Sequence, residues 1–165
     1  MAGKPIDMKV NLNLGGGGSG KSLPTSTDPR IYMRTLELMN AERQKDGVQQ
    51  LYLSVQLNQV AHAHSLDMAK RGYLGAATPE GEPVTDAVKR AGYTGKCEVL
   101  TAMGPRTADE VMRKWIEEPR YQSQISGAAF QHAGVGYCDE VWTVILGAPL
   151  DAAMKDVRDI RSRIL

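Results

Sequence analysis

The sequence has little of what most often builds chemistry. Its 165 residues include three His and two Cys, which barely furnish one zinc site, and only if the fold gathers them. Charge of one sign is also missing: 20 Lys and Arg against 19 Asp and Glu leave a net +1. That balance sets up no field to steer nucleic acid or an anionic membrane, so a general polyanion binder is excluded. No long apolar run exists. The longest, Val141 to Leu150, is broken by Thr143, Gly147 and Pro149 and is far short of the roughly 20 residues of a spanning helix. Met1 to Val10 has no apolar h-region, so no signal peptide is expected there. What remains is ordinary for a globular chain, with 42% hydrophobic and 24% charged residues. The length suits one domain, or one domain with an arm.

Three stretches are expected: an arm and linker over 1–27, a domain over 28–150, and a closing helix over 151–165. In the arm, Met8, Val10, Leu12 and Leu14 alternate with Lys9, Asn11 and Asn13, the period of a half-buried strand. Such a strand on a flexible tether is able to add to a sheet edge of its own domain or of a second copy, which would make an arm-mediated dimer. In the tail, Met154, Val157, Ile160 and Ile164 place apolar residues on one helical face. Between these, Asp28 before Pro29 predicts a helix start, and the helix runs toward Gly47. A second helix is predicted from Ser54 to a cap at Gly72, and a short one from Pro83 to Ala91. A weak strand follows over Cys97 to Ala102. Thr107 with Glu110 predicts a capping box and a helix to Glu118. Ala133 to Cys138 and Val141 to Leu146 read as hairpin strands across Asp139 and Glu140. Those two are poor residues for a two-residue turn, so the turn is expected to borrow its neighbours. The order predicts an α+β fold with helices on the faces of a small antiparallel sheet.

Five of the 17 glycines fall between Gly15 and Gly20. With Lys21 and Ser22 they fit the pattern of a phosphate-binding loop. Such a loop needs a helix to begin at its Lys and Ser. Here Pro24, Asp28 and Pro29 follow among Ser and Thr residues, and the alternating strands and helices of a parallel sheet are missing. The cluster reads as a linker.

Several segments, in order, resemble the CAP superfamily, the domain of cysteine-rich secretory, antigen-5 and pathogenesis-related-1 proteins, in its short bacterial form. They are the run Leu38, Asn40, Glu42, Arg43 and Gly47; Ala61 to Tyr73, with His64, Asp67 and Gly72; Thr78 to Gly81; and Ala91 to Tyr93. Glu98, Trp115 with Pro119, Phe130, Gly134 to Tyr137, and Trp142 with Thr143 continue the pattern. The resemblance covers about Ile31 to Gly147 and implies a three-layer α-β-α sandwich. It also implies a secreted or periplasmic setting.

Members of the family with an intact cleft carry two His and two acidic residues able to hold a metal. In this sequence the first His position falls at Ala76 and the second at Tyr121. Glu98 matches one family Glu, and the other acidic position falls around Ser123, where there is no acid. A tetrahedral metal site does not assemble from these positions, and no cofactor is expected. His62 and His64, two apart on a helix, do not share a face; with His132 they read as packed or surface residues. Glu98 is either a cleft acid orienting a polar ligand, a general base, or a structural carboxylate. Tyr121 either fills the space of a lost imidazole or binds a ligand itself. Cys97 and Cys138 flank two predicted strands. If those strands are neighbours, a disulfide would close a loop of about forty residues and stabilise by roughly 3–4 kcal/mol; otherwise both are buried thiols.

Seven aromatic residues lie from Tyr73 to Trp142, as core or as the wall of an apolar groove. No Ser/His/Asp or Cys/His arrangement falls where the family would support nucleophilic catalysis. The expected function is a non-catalytic, exported binding protein whose partner is a protein, a lipid or a cell-envelope ligand, and not nucleic acid. The alternatives are a carrier of a small lipid, sterol or fatty acid, and a hydrolase using Glu98.

Overall fold

The computed structural model describes residues 25–149. The strand-like arm, the glycine cluster with Lys21 and Ser22, and the closing segment over 151–165 lie outside the described residues.

Helix α1 spans Pro29–Lys45. It begins where expected because the Asp28 side chain accepts a hydrogen bond from the Arg30 backbone N–H at 2.9 Å and Pro29 presets the first helical φ. Strand β1, Tyr52–Leu53, leads directly into helix α2, Val55–Arg71. Ser54 caps its start, accepting from the Leu57 N–H at 3.2 Å, and Gly72 ends it in the left-handed region at φ 72°. Helix α3 is Val84–Arg90 and strand β2 is Gly95–Met103. Helix α4, Ala108–Ile116, opens on the anticipated box with one shift. Thr107 Oγ1 accepts from the Glu110 N–H at 3.1 Å, whereas the Glu110 carboxylate reaches the N–H of Arg106, one residue before the cap, at 2.7 Å. Helix α5, Pro119–Ile125, precedes strands β3, His132–Cys138, and β4, Val141–Pro149.

The sheet order is β1-β3-β4-β2. The pairs β3–β4 and β2–β4 are antiparallel, as expected, but β1 runs parallel to β3. Two elements were not foreseen. β1 is too short to show a period, and α5 is a polar turn of chain behind Pro119, a residue that reads as a helix end.

The hairpin also differs from expectation. Cys138 pairs with Val141, so Asp139 and Glu140 alone make the turn, both left-handed at φ 54° and 66°. A two-residue turn of that hand matches the twist of the strands, and the Gly104 N–H braces it by donating to the Glu140 carbonyl at 2.9 Å.

The sheet separates two apolar layers. On one side Leu100 and Ala102 of β2, Ala133 and Val135 of β3, and Leu146 of β4 pack with Met39, Met112 and Trp115 from α1 and α4. On the other, Ile145 packs with Leu57, Val60 and Ala61 of α2 and with Val84 and Val88 of α3. The result is a three-layer α-β-α sandwich. The α2 layer sits directly on backbone at Gly134 and Gly136, where an added Cβ would stand 2.1 Å from Leu57 and 2.2 Å from Ala61. Only glycine allows that approach.

The disulfide expectation is corrected. Cys97 and Cys138 are both free. Their strands are not neighbours, since β4 lies between β2 and β3. Cys97 is level with Gly147 and Cys138 with Val141, six residues or roughly 20 Å apart along β4, well beyond the reach of an S–S bond.

Candidate functional site

The run at the end of α1 is scaffolding for the cleft side of the molecule. Arg43 is fully buried. Its Nε donates to the Gln49 carbonyl at 2.8 Å, Nη1 to Ile125 and Gly127 at 2.8 and 2.9 Å, and Nη2 to Phe130 at 3.0 Å. Burial alone pulls its pKa below the usual guanidinium value, which still leaves it charged at neutral pH. These bonds tie α1 to the end of α5 and to the chain leading into β3. Asn40 does the same for β1. Its Nδ2 donates to the Leu51 carbonyl at 3.1 Å and its Oδ1 accepts from the Leu51 N–H at 2.7 Å.

That frame fixes α5, which carries Tyr121 and Gln124. Gln124 Nε2 donates to Glu98 Oε1 of β2 at 2.5 Å. Tyr121, one turn earlier, packs half-buried against the apolar cluster of the α1 and α4 side; its hydroxyl accepts from Arg120 Nη2 at 2.8 Å, and the Arg120 guanidinium lies 4.6 Å from its ring centroid. Glu98 and Tyr121 are therefore brought to one region by the same short helix. Gln124 is a member that sequence reasoning missed. Its Oε1 is a buried acceptor with no hydrogen-bond partner, and its amide cannot flip without turning that oxygen toward the Glu98 carboxylate. The signal was its position three residues after Tyr121, which needed α5 to be recognised as a helix.

Ala76 is exposed in the α2–α3 connection, where its carbonyl accepts from the Val84 N–H at 2.9 Å. At the two positions where the resemblance places imidazoles the chain carries the methyl of Ala76 and the phenol of Tyr121, and Ser123 is exposed. The donors left are oxygens of Glu98 and Gln124. They do not fit a zinc ion, which takes imidazole nitrogen or thiolate sulfur for most of its shell. Among the described residues, no three of His, Cys, Asp and Glu converge as a metal-binding group.

The His side chains are engaged elsewhere. His62 is buried with Nδ1 2.8 Å from Thr27 Oγ1, and that hydroxyl also accepts from the Tyr137 N–H at 3.0 Å. His64 is buried and its Nε2 donates to the Gly75 carbonyl at 2.6 Å. His132 Nδ1 lies 3.0 Å from the Tyr93 hydroxyl.

A concave feature lies between α2 and α3, a groove of about 710 Å³. Val60, Ala63, Val84 and Ala87 give it an apolar floor, Asp67, Glu80, Glu82 and Arg71 are its charged lining, and Gln59, His64 and Thr78 complete the polar part. Arg71 bridges Asp67 at 3.0 Å and Glu80 at 2.6 Å, and the Tyr73 hydroxyl donates to Asp67 at 2.5 Å. The hydrogen bonds of Arg71, then of Tyr73, hold the Asp67 carboxyl below its ordinary pKa. Burial, then Asp67, pushes the Tyr73 phenol up to about 12.

This architecture is a mixed four-stranded sheet between an α2–α3 layer and an α1–α4–α5 layer. The sequence profile of the CAP, or cysteine-rich secretory protein, family matches residues 36–141, and the chain belongs to that family. It is 33% identical over 113 residues to the uncharacterized Bacillus subtilis protein YkwD, a match covering 67% of this chain and 44% of that protein. The chain thus spans less than half the length of that relative. The fold is similar to an extracellular protein of Bacillus anthracis containing an SCP domain, with a TM-score of 0.66 at 20% identity over 70% of this chain and 39% of that one. It is similar as well to an outer surface protein of Borrelia burgdorferi, with a TM-score of 0.68 at 12% identity over 75% of this chain and 97% of that one. No helix among the described residues is long and apolar enough to cross a membrane.

Proposed function

We propose that this CAP domain acts by binding rather than catalysis, in an extracellular or envelope setting like that of its structural neighbours. The observation that carries the reading is the pair at α5. Glu98 is exposed and one of its oxygens accepts from Gln124 Nε2. A ligand bringing an N–H or O–H to this carboxylate meets a charged acceptor already oriented by α5. The phenol at Tyr121 and the methyl at Ala76, where the family places imidazoles, remove the metal-based route to hydrolysis from these positions. The partner class is a protein or a polar cell-envelope component.

The test is turnover. The full chain, with zinc or magnesium supplied, is assayed on peptide, carboxylic ester and phosphoester substrates. The reading expects no turnover that depends on Glu98. Hydrolysis abolished in Glu98→Gln, with the fold retained, overturns it.

A further inference from the structure

The groove between α2 and α3 has a different chemistry from the Glu98–Gln124 pair, and its occupant is readable from the chain itself. Three carboxylates and one guanidinium line it around an apolar floor, so its polar edge is acidic. Arg71 is shared between Asp67 and Glu80, and Glu82 pairs with Arg90 of α3. The groove suits a segment with an apolar stripe and a row of basic residues beside it.

The residues after β4 have that pattern. Met154, Val157 and Ile160 recur at helical spacing, and Lys155, Arg158 and Arg161 each follow one of them directly. On a helix that spacing sets a basic row along one flank of the apolar stripe, with Asp156 on the other flank and Asp159 on the far face. The exit point fits too. β4 ends at Pro149, paired with Gly95. Nearby, Tyr93 joins the end of β4 to the end of α3: its N–H donates to the Val88 carbonyl at 3.3 Å, and its hydroxyl stands 2.4 Å from where a Cβ on Gly147 would be. Chain leaving β4 therefore starts beside the C-terminal end of α3. The 16 residues 150–165 span about 24 Å as a helix. A helix of that length running back along α3 toward Val84 would bring Arg158 and Arg161 to the end where Glu80, Glu82 and Asp67 lie.

We propose that residues 151–165 dock in cis into the α2–α3 groove, with Met154, Val157 and Ile160 on Val60, Ala63 and Ala87 and the basic row on the acidic edge. The tail is then an internal occupant that any external basic-apolar ligand of this groove must displace.

Hydrogen exchange of the full chain, read by mass spectrometry, tests this. Amides over 154–164 should exchange at least tenfold more slowly than the intrinsic rate, unchanged on dilution. The double variant Glu80→Lys/Glu82→Lys should release that protection while β4 keeps its own, and adding Arg158→Glu/Arg161→Glu should restore it. A groove filled by Ala63→Trp should release it as well. Absence of protection, protection lost on dilution, or protection that ignores both groove variants overturns the proposal.

Discussion

Gln124 Nε2 of α5 donates to Glu98 Oε1 of β2 across 2.5 Å, so the carboxylate that the resemblance singles out is held by a helix that the sequence pattern does not announce. The bond is charge-assisted but faces solvent on the Glu98 side. A double-mutant cycle of Glu98→Ala and Gln124→Ala, read by urea denaturation, should give a coupling of about 1 kcal/mol. Gln124→Leu should cost little or even stabilise, because it removes the orphaned Oε1 along with the donor.

Arg43 carries far more of the structure. Its guanidinium serves four backbone carbonyls from a fully buried position. Arg43→Met leaves those acceptors without donors and should destabilise by about 3–5 kcal/mol in urea denaturation. Arg43→Lys should recover only part of that, since a compact ammonium does not reproduce the guanidinium's planar fork of donors.

Both cysteines should titrate as thiols. Reaction with a disulfide reagent in denaturant should count two thiols per chain without prior reduction, and reduction should leave the unfolding transition unmoved. In the folded protein Cys97 should alkylate slowly at neutral pH, because burial, and then the Glu98 charge, raises its pKa to about 11.

The Asp67–Arg71–Tyr73 group gives stability a defined pH dependence. Arg71, then Tyr73, lowers the folded pKa of Asp67 below its ordinary 3.8. Its contribution is complete above about pH 4 and is lost as pH falls through the folded value. Tyr73 is the reverse case. Its folded pKa is raised from 10.0 to about 12, so its contribution is present below pH 10 and is lost as pH rises toward 12. Stability measured against pH should fall at both ends. Asp67→Asn should flatten the acid limb, and Tyr73→Phe should flatten the alkaline limb.

The legible parts of this fold are those with a repeating pattern or a cap. Asp28 with Pro29, Ser54, Gly72 and Thr107 mark helix ends by chemistry local to a few residues, and they stand where the sequence places them. The layers follow from the order of elements. What was not legible depends on distant chain. β1 is a two-residue strand defined only by its partner β3. The Asp139–Glu140 turn is held left-handed by strands and by Gly104, against the preference of its own residues. The cysteines looked bridgeable because sequence order says nothing of β4 inserting between their strands. Ala76, Glu98 and Tyr121 are singled out by resemblance alone, whereas the Gln124 contact to Glu98 needs the geometry of α5.

A binding role without a catalytic metal makes a sharp demand on zinc affinity. In isothermal titration of the full chain with zinc, the expected outcome is no saturable binding that Glu98→Gln changes. A one-to-one site of sub-micromolar affinity, lost in Glu98→Gln while the fold is intact, overturns the proposed function.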